Sequence, residues 1–235
     1  MSSNDGRSLW PGVTQYLIAL CILAAAGRGT GQPVICLDPG HPSENGVGAK
    51  GRRYTEVKAA WSIATRLAGL LTKQGYRVVM TKVSENQFVS NRNRAKIAND
   101  AHANLLLRLH CDSGGGSGFA TFYPDRQATI HGFKGPPPDV LTKSAALAAV
   151  FHTAAMQALT GSLPDLGVHT DRMTAIGRRQ GALTGSVNSK VPVLLVEMCV
   201  LGNAKDEAFI RSRRGKEIMS QALLRGVSAA ISVRQ

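Results

Sequence analysis

Four side chains, His41, Glu56, His110 and Glu197, carry the groups that hydrolytic metal chemistry needs. Two imidazoles and one carboxylate make a zinc shell whose fourth position stays open for water, and a second carboxylate within reach can serve as general base. Each residue also has a plainer reading. His41 could be a metal ligand, a general base or a loop histidine. Glu56 suits a helix N-terminus, where an acid meets the positive end of the dipole. His110 suits a core position, and Glu197 an ion pair with one of the many arginines. The readings are separated by where the chain places these residues.

Val34-Ile35-Cys36-Leu37 reads as a buried strand, and Asp38-Pro39-Gly40 breaks the chain sharply after it. His41 is thereby delivered to the strand's C-terminal end, where α/β folds build sites. From Tyr54 to Gln74 the apolar residues Val57, Ala60, Trp61, Ala64, Leu67, Ala68 and Leu71 recur at helical spacing, Gly75 stops the helix, and Glu56 lies in its opening turn. Arg77 to Thr81 is a short β-branched strand, which completes a βαβ pattern. Asn91 to His102 reads as a helix with Ala95, Ile97 and Ala98 inward. Asn104 to His110 is another buried strand, again ending on a histidine.

Further on, Gly114 to Gly118 is a flexible turn before a strand at Phe119 to Tyr123, and no Gly-Lys-Ser/Thr follows to make it a phosphate loop. Asp125 to Asp139 reads as a polar surface loop ending in three prolines, and Leu141 to Thr160 as an alanine-rich helix. Gly161 to Lys190 is weakly patterned, with a short strand expected around Met173 to Ile176. Pro192 to Met198 is the last strong strand and carries Glu197, where a carboxylate is costly unless paired or coordinated. Ile218 to Ile231 closes the chain with an amphipathic helix. No internal repeat and no second domain are expected.

The 235 residues carry 28 lysines and arginines against 15 acids, a net charge of +13, and so expect a polyanionic partner or surface. Leu17 to Ala26 is an apolar run too short to span a bilayer and shaped like the core of a signal peptide. Residues 1–30 are therefore expected to be an export signal, or a retained N-terminal anchor, with a short linker. Cys21 follows Leu20, which is too large for a lipoprotein signal. Export places the protein in the periplasm or in the extracellular cell wall. There the basic surface would meet anionic wall polymers and no nucleic acid, and only a retained anchor would bring it to a membrane. With 5% aromatic residues, the chain also lacks the stacking platforms of a nucleic-acid binder. Cys36, Cys111 and Cys199 remain after the signal, at spacings that exclude a zinc ribbon.

Together, these features resemble the zinc-dependent N-acetylmuramoyl-L-alanine amidases of the type 3 cell-wall hydrolase family, which carry the Asp-Pro-Gly-His opening. The resemblance runs in order through Val34 to His41, Tyr54-Thr55-Glu56-Val57-Lys58, Gly75 to Lys82, Asn91 to Ser113 and Val191 to Asn203. It covers nearly all of Val34 to Ile231. It implies a single α/β domain over residues 31–235, a twisted, mainly parallel six-stranded sheet flanked by helices. It implies one Zn2+ per chain held by His41, Glu56 and His110, Glu197 as the catalytic acid–base, and hydrolysis of the amide between N-acetylmuramic acid and L-alanine of peptidoglycan, by a monomer. An activator protein is left open. Asp38 either orients a ligand imidazole or simply forms the turn. Cys111 and Cys199 are buried thiols or a disulfide, and His169, Arg172, Arg178 and Arg179 are expected to border the groove. Asp125 to Asp139 is too short and proline-rich to plug the site. Departures from the family pattern are Arg108 where serine is common, Asp112 where asparagine is frequent, and Met198-Cys199. The rival readings are a zinc peptidase acting on wall peptides and a non-catalytic wall-binding or regulatory protein on the same scaffold.

Overall fold

Alternation along the strands decides which face of the sheet meets which helices. The computed structural model describes residues 31–233, so the expected signal or anchor lies outside the described residues. Strands β1 (Val34–Pro39), β2 (Arg77–Met80), β3 (Leu105–Asp112), β4 (Phe119–Tyr123), β7 (Asp165–Thr170) and β8 (Val193–Val200) form one sheet. Its order is β2-β1-β3-β8-β4-β7, parallel throughout except where β4 runs against β8. Ile35, Leu37, Leu105, Leu107, Leu194 and Val196 point to one face, under helices α1 (Glu56–Lys73), α3 (Pro138–Leu159) and α7 (Arg213–Ser232). Burying each such side chain contributes about 1.5–3 kcal/mol. On the opposite face Cys36, Leu106 and Val193 pack against Ala98 of α2 (Asn91–Asp100). Moving along that face toward the strands' C-terminal ends, the same alternation yields Asp38 and Arg108, then His110 and Glu197.

Helix starts are set locally. The Thr55 side chain accepts the Lys58 N–H ahead of α1, and Ser90 accepts the Asn93 N–H ahead of α2. α3 begins at Pro138, earlier than expected from Leu141, because proline is well suited to the first helical position.

Three expectations need correction. Within Asp125 to Asp139 lies a hairpin, β5 (Ala128–Ile130) and β6 (Phe133–Gly135), turning through His131 and Gly132 at φ 48° and 77°. Two successive positive φ values are what a type I′ turn demands. The strand expected at Met173 to Ile176 falls earlier, as β7. That edge strand pairs only with β4 and leaves Leu166 40% and Val168 36% exposed, so it carries no buried alternation to read. Residues Asp171–Met173 form a 3-10 turn instead, followed by α4 (Ala175–Gln180) and α5 (Thr184–Val187). Last, α6 (Ala204–Arg211) precedes α7, capped by Asn203, whose side chain accepts from the Lys205 and Asp206 N–H groups. Among the described residues no helix is long and apolar enough to cross a membrane.

Candidate active site

His41 comes just after β1, in a left-handed backbone conformation with φ 53°. That conformation costs about 1–2 kcal/mol for a non-glycine residue and needs outside support. The support is a buried guanidinium. Arg94 reaches from α2 and donates to the carbonyls of Pro39 at 2.7 Å, Pro42 at 2.9 Å and Val89 at 2.9 Å, and to Asp38 Oδ1 at 2.6 Å. The Lys82 ammonium donates to the His41 carbonyl. Nδ1 of His41 lies 3.0 Å from the Gly46 carbonyl oxygen. Since a carbonyl only accepts, Nδ1 carries the proton and Nε2 keeps a lone pair for the cleft.

Glu56, 3% exposed, is held on both oxygens. Oε2 accepts the Ala49 N–H at 2.6 Å. Oε1 accepts the Cys111 N–H at 3.2 Å and lies 2.8 Å from His110 Nδ1 and 3.5 Å from His41 Nε2. Burial pushes this carboxyl up, but the hydrogen bond and charge of His110, the charge of His41 and the Ala49 N–H outweigh it and keep it below its ordinary value. Burial pulls the His110 imidazole down, against the upward pull of Glu56. Two glycines make the approach possible. A Cβ on Gly40 would lie 2.6 Å from His110 Cε1, and one on Gly48 would lie 2.5 Å from Glu56 Oε2.

His41, Glu56 and His110 each offer a ligand atom, all within 4.8 Å of one another. One carboxylate oxygen serves two imidazoles, while His110 Nε2 is buried with no hydrogen-bond partner. Such a nitrogen–nitrogen–oxygen set fits a divalent cation of the zinc type. Glu197 stands directly opposite His110 across the β3–β8 pair, and its Oε2 also lacks a partner. Burial first, then the charges of Glu56 and Asp112, hold its carboxyl well above the usual range, which strengthens it as a proton acceptor. All four residues line one cleft of about 530 Å³.

For Asp38, expected either to orient an imidazole or to form the turn, the structure shows contacts with other partners. Its carboxylate is fully buried and takes Thr81 Oγ1 at 2.6 Å, Arg94 Nη1 at 2.6 Å and Arg108 Nε at 2.9 Å. Burial raises this carboxyl, but the two guanidiniums hold it far below the carboxylate range. Arg108 also donates to Asn91 Oδ1 at 2.5 Å and lines the cleft floor. In the sequence Arg108 stands out only as a departure from the family pattern. The signal that could have found its role is the pairing of a lone arginine in one apolar strand with an aspartate in another.

Of the basic residues expected at the groove, Arg178 lines the cleft, alongside Met173 and Thr174. Arg172 pairs with Asp125, and His169 Nε2 lies 2.6 Å from the Leu166 carbonyl. No residue of Asp125 to Asp139 is among those lining the cleft. The hairpin packs through Ile130 against Ala182 and Val187 instead. Cys36, Cys111 and Cys199 are free and buried, with the last two sulfurs 3.7 Å apart.

Comparison with known proteins agrees with this geometry. The profile of the N-acetylmuramoyl-L-alanine amidase family matches residues 35–229. The sporulation-specific N-acetylmuramoyl-L-alanine amidase of Bacillus subtilis is 36% identical over 107 residues, 41% of each chain. The probable cell wall amidase LytH of Staphylococcus aureus is 25% identical over 204 residues, 84% of this chain and 58% of that protein. The chain thus spans 41% and 58% of the length of these two relatives. The solved N-acetylmuramoyl-L-alanine amidase AmiC2 of Nostoc punctiforme superposes with a TM-score of 0.68 at 22% identity, covering 88% of this chain and 100% of that one, a likeness of fold. With the family profile spanning most of the described residues, the chain belongs to the N-acetylmuramoyl-L-alanine amidase family.

Proposed function

We propose that residues 31–235 form a zinc-dependent catalytic domain that hydrolyses the amide between N-acetylmuramic acid and L-alanine in peptidoglycan. The observation that carries this reading is the convergence of His41, Glu56 and His110 within 4.8 Å, in one cleft with Glu197. His41, Glu56 and His110 would hold the zinc, whose Lewis acidity would activate a water and polarise a carbonyl there.

The chain's own groups then divide the work. Gly46, through its carbonyl, keeps His41 in the tautomer that presents Nε2. The Ala49 and Cys111 N–H groups fix the Glu56 carboxylate. Glu197 takes the proton of the attacking water and returns it to the departing amine, which its raised affinity for protons favours. The buried Asp38–Arg94–Arg108 cluster keeps the ends of β1 and β3 in register beneath these groups. The family and the +13 charge support action outside the cytoplasm, on peptidoglycan set among anionic wall polymers.

Digestion of purified peptidoglycan by the full chain, analysed by mass spectrometry with zinc, with chelator and with Glu197→Ala, tests the reading. The expected result is zinc-dependent release of intact stem peptides bearing a free L-alanine amine, lost in the variant. Stems that stay attached to muramic acid but are shortened would make it a peptidase.

A further inference from the structure

Beyond the catalytic cleft, the loop at residues 50–53 and helix α6 enclose a second cleft of about 480 Å³, lined by Arg52, Arg53 and Arg211 around Glu207. The acids that could neutralise it are turned inward. Glu207 Oε1 accepts the Arg53 N–H at 2.5 Å and the Tyr54 N–H at 2.7 Å. The neighbouring Asp206 is spent on Ser117 Oγ and on the N–H groups of Gly118 and Val200. Arg52, Arg53, Arg211, Arg213 and Arg214 are all exposed, and none has an ion-pair partner among the described residues. Here Arg52, Arg53 and Arg211 line one cleft whose single lining carboxylate, Glu207, is engaged by backbone N–H groups. Guanidiniums so arranged bind carboxylate or phosphate in a planar, two-pronged manner.

The position of this cleft selects its occupant. Gly48 and Ala49 line the catalytic cleft, and Arg52, three residues past Ala49, lines the basic one. Three residues span at most about 11 Å of chain. The two clefts are thus neighbours, and a polymer with a carboxylate on each repeating stem can occupy both.

We propose that the Arg52–Arg53–Arg211 cleft is an exosite for carboxylates of neighbouring, uncleaved stems on the same peptidoglycan polymer. This rests on the hydrolase reading above. It adds that recognition of the polymer is separable from recognition of the bond. A polymeric substrate then gains local concentration at the catalytic cleft that a single soluble repeat cannot gain.

The test compares the full chain with its Arg52→Glu/Arg211→Glu double variant on two substrates. One is insoluble peptidoglycan stripped of secondary polymers, and the other a soluble disaccharide-peptide. The expected result is binding to stripped peptidoglycan weakened about tenfold in the variant, the scale of electrostatic focusing in a charged cleft. Wild-type binding should fall similarly at high salt, while turnover of the soluble fragment stays within about twofold. Undiminished wall binding by the variant overturns the proposal, as does an equal loss of activity on the soluble fragment. Wild-type binding that disappears once the phosphate-bearing polymers are stripped overturns it in favour of those polymers. If the wild type binds stripped peptidoglycan through the arginines but cleaves neither substrate, the exosite stands and the hydrolase reading fails.

Discussion

On the floor of the catalytic cleft, buried polar groups are held by other buried groups on neighbouring elements: Asp38 by Thr81, Arg94 and Arg108, and Glu56 by Ala49, Cys111 and His110. On the rim, the chain from Asp171 to Thr184 is held largely by short-range contacts, with the Arg172–Asp125 pair and the packing of Ala182 on Ile130 as longer-range ties. The Thr174 side chain caps α4 by accepting the Gly177 N–H, Gly181 ends it at φ 90°, and Gln180 reaches Ala182 and Thr184. The floor sits on parallel strands buried on both faces, and the rim on pieces of one or two turns. Chemistry that needs fixed distances is thus assigned to the rigid part, while the rim can change in sequence without disturbing those distances.

The contrast can be broken most severely at Glu197. Glu197→Gln is expected to lower kcat by about 10²–10⁴-fold, the usual scale for a proton-transfer group, with zinc content by metal analysis unchanged. A variant that keeps activity would move the acid–base role elsewhere on the floor. Asp38→Asn, which leaves two buried guanidiniums under-compensated, should cost about 3–5 kcal/mol in denaturant unfolding. The same carboxylate gives a pH signature. Held below its ordinary value of 3.8 when folded, it contributes stability that is present above that pH and is lost as the pH falls toward the folded value. Gly48→Ala forces a Cβ onto Glu56 and should weaken zinc affinity about 10–100-fold by competition titration.

The rim should respond more gently and in other observables. Burial lifts the Asp171 carboxyl from 3.8 to about 6. Its contribution is therefore full below 3.8 and lost as pH rises through about 6. Asp171→Asn should flatten that part of the stability–pH curve and raise stability above pH 6 by about 1–2 kcal/mol. Arg178→Ala, at an exposed position in the cleft wall, should raise KM less than about fivefold and leave kcat alone. A drop in kcat as large as that of a floor variant would erase the distinction between the two regions.

The same division governs how much of the molecule is legible in its sequence. Val34 to Leu37, Leu105 to Leu107 and Val193 to Val196 are apolar runs buried by their neighbours, so pattern alone locates them and the candidate site residues His41, His110 and Glu197 that follow them. The long helices announce themselves by period. β7 does not, because an edge strand reading Asp-Leu-Gly-Val-His-Thr buries almost nothing. The β5–β6 hairpin is hidden because its turn uses His131 where glycine or asparagine is the usual signal. Asp38 is visible as a residue of interest, but its partners are not. Arg94 and Arg108 lie 56 and 70 positions away in sequence, and which arginine an aspartate meets is decided by strand order. The arginine exosite is legible only as net charge, since its definition depends on Glu207 and Asp206 turning inward.

Arg94 has a consequence for how the catalytic site could be emptied and refilled. It straddles His41, gripping the carbonyls of Pro39 and Pro42 on either side of it. An arginine side chain keeps its charge at any pH a folded protein survives. Removing a metal held by His41, Glu56 and His110, whether by chelator or by acid, would therefore leave the frame around His41 standing. Demetallation is expected to be a reversible exchange on a standing template, with the apo chain ready to reload and no refolding in between.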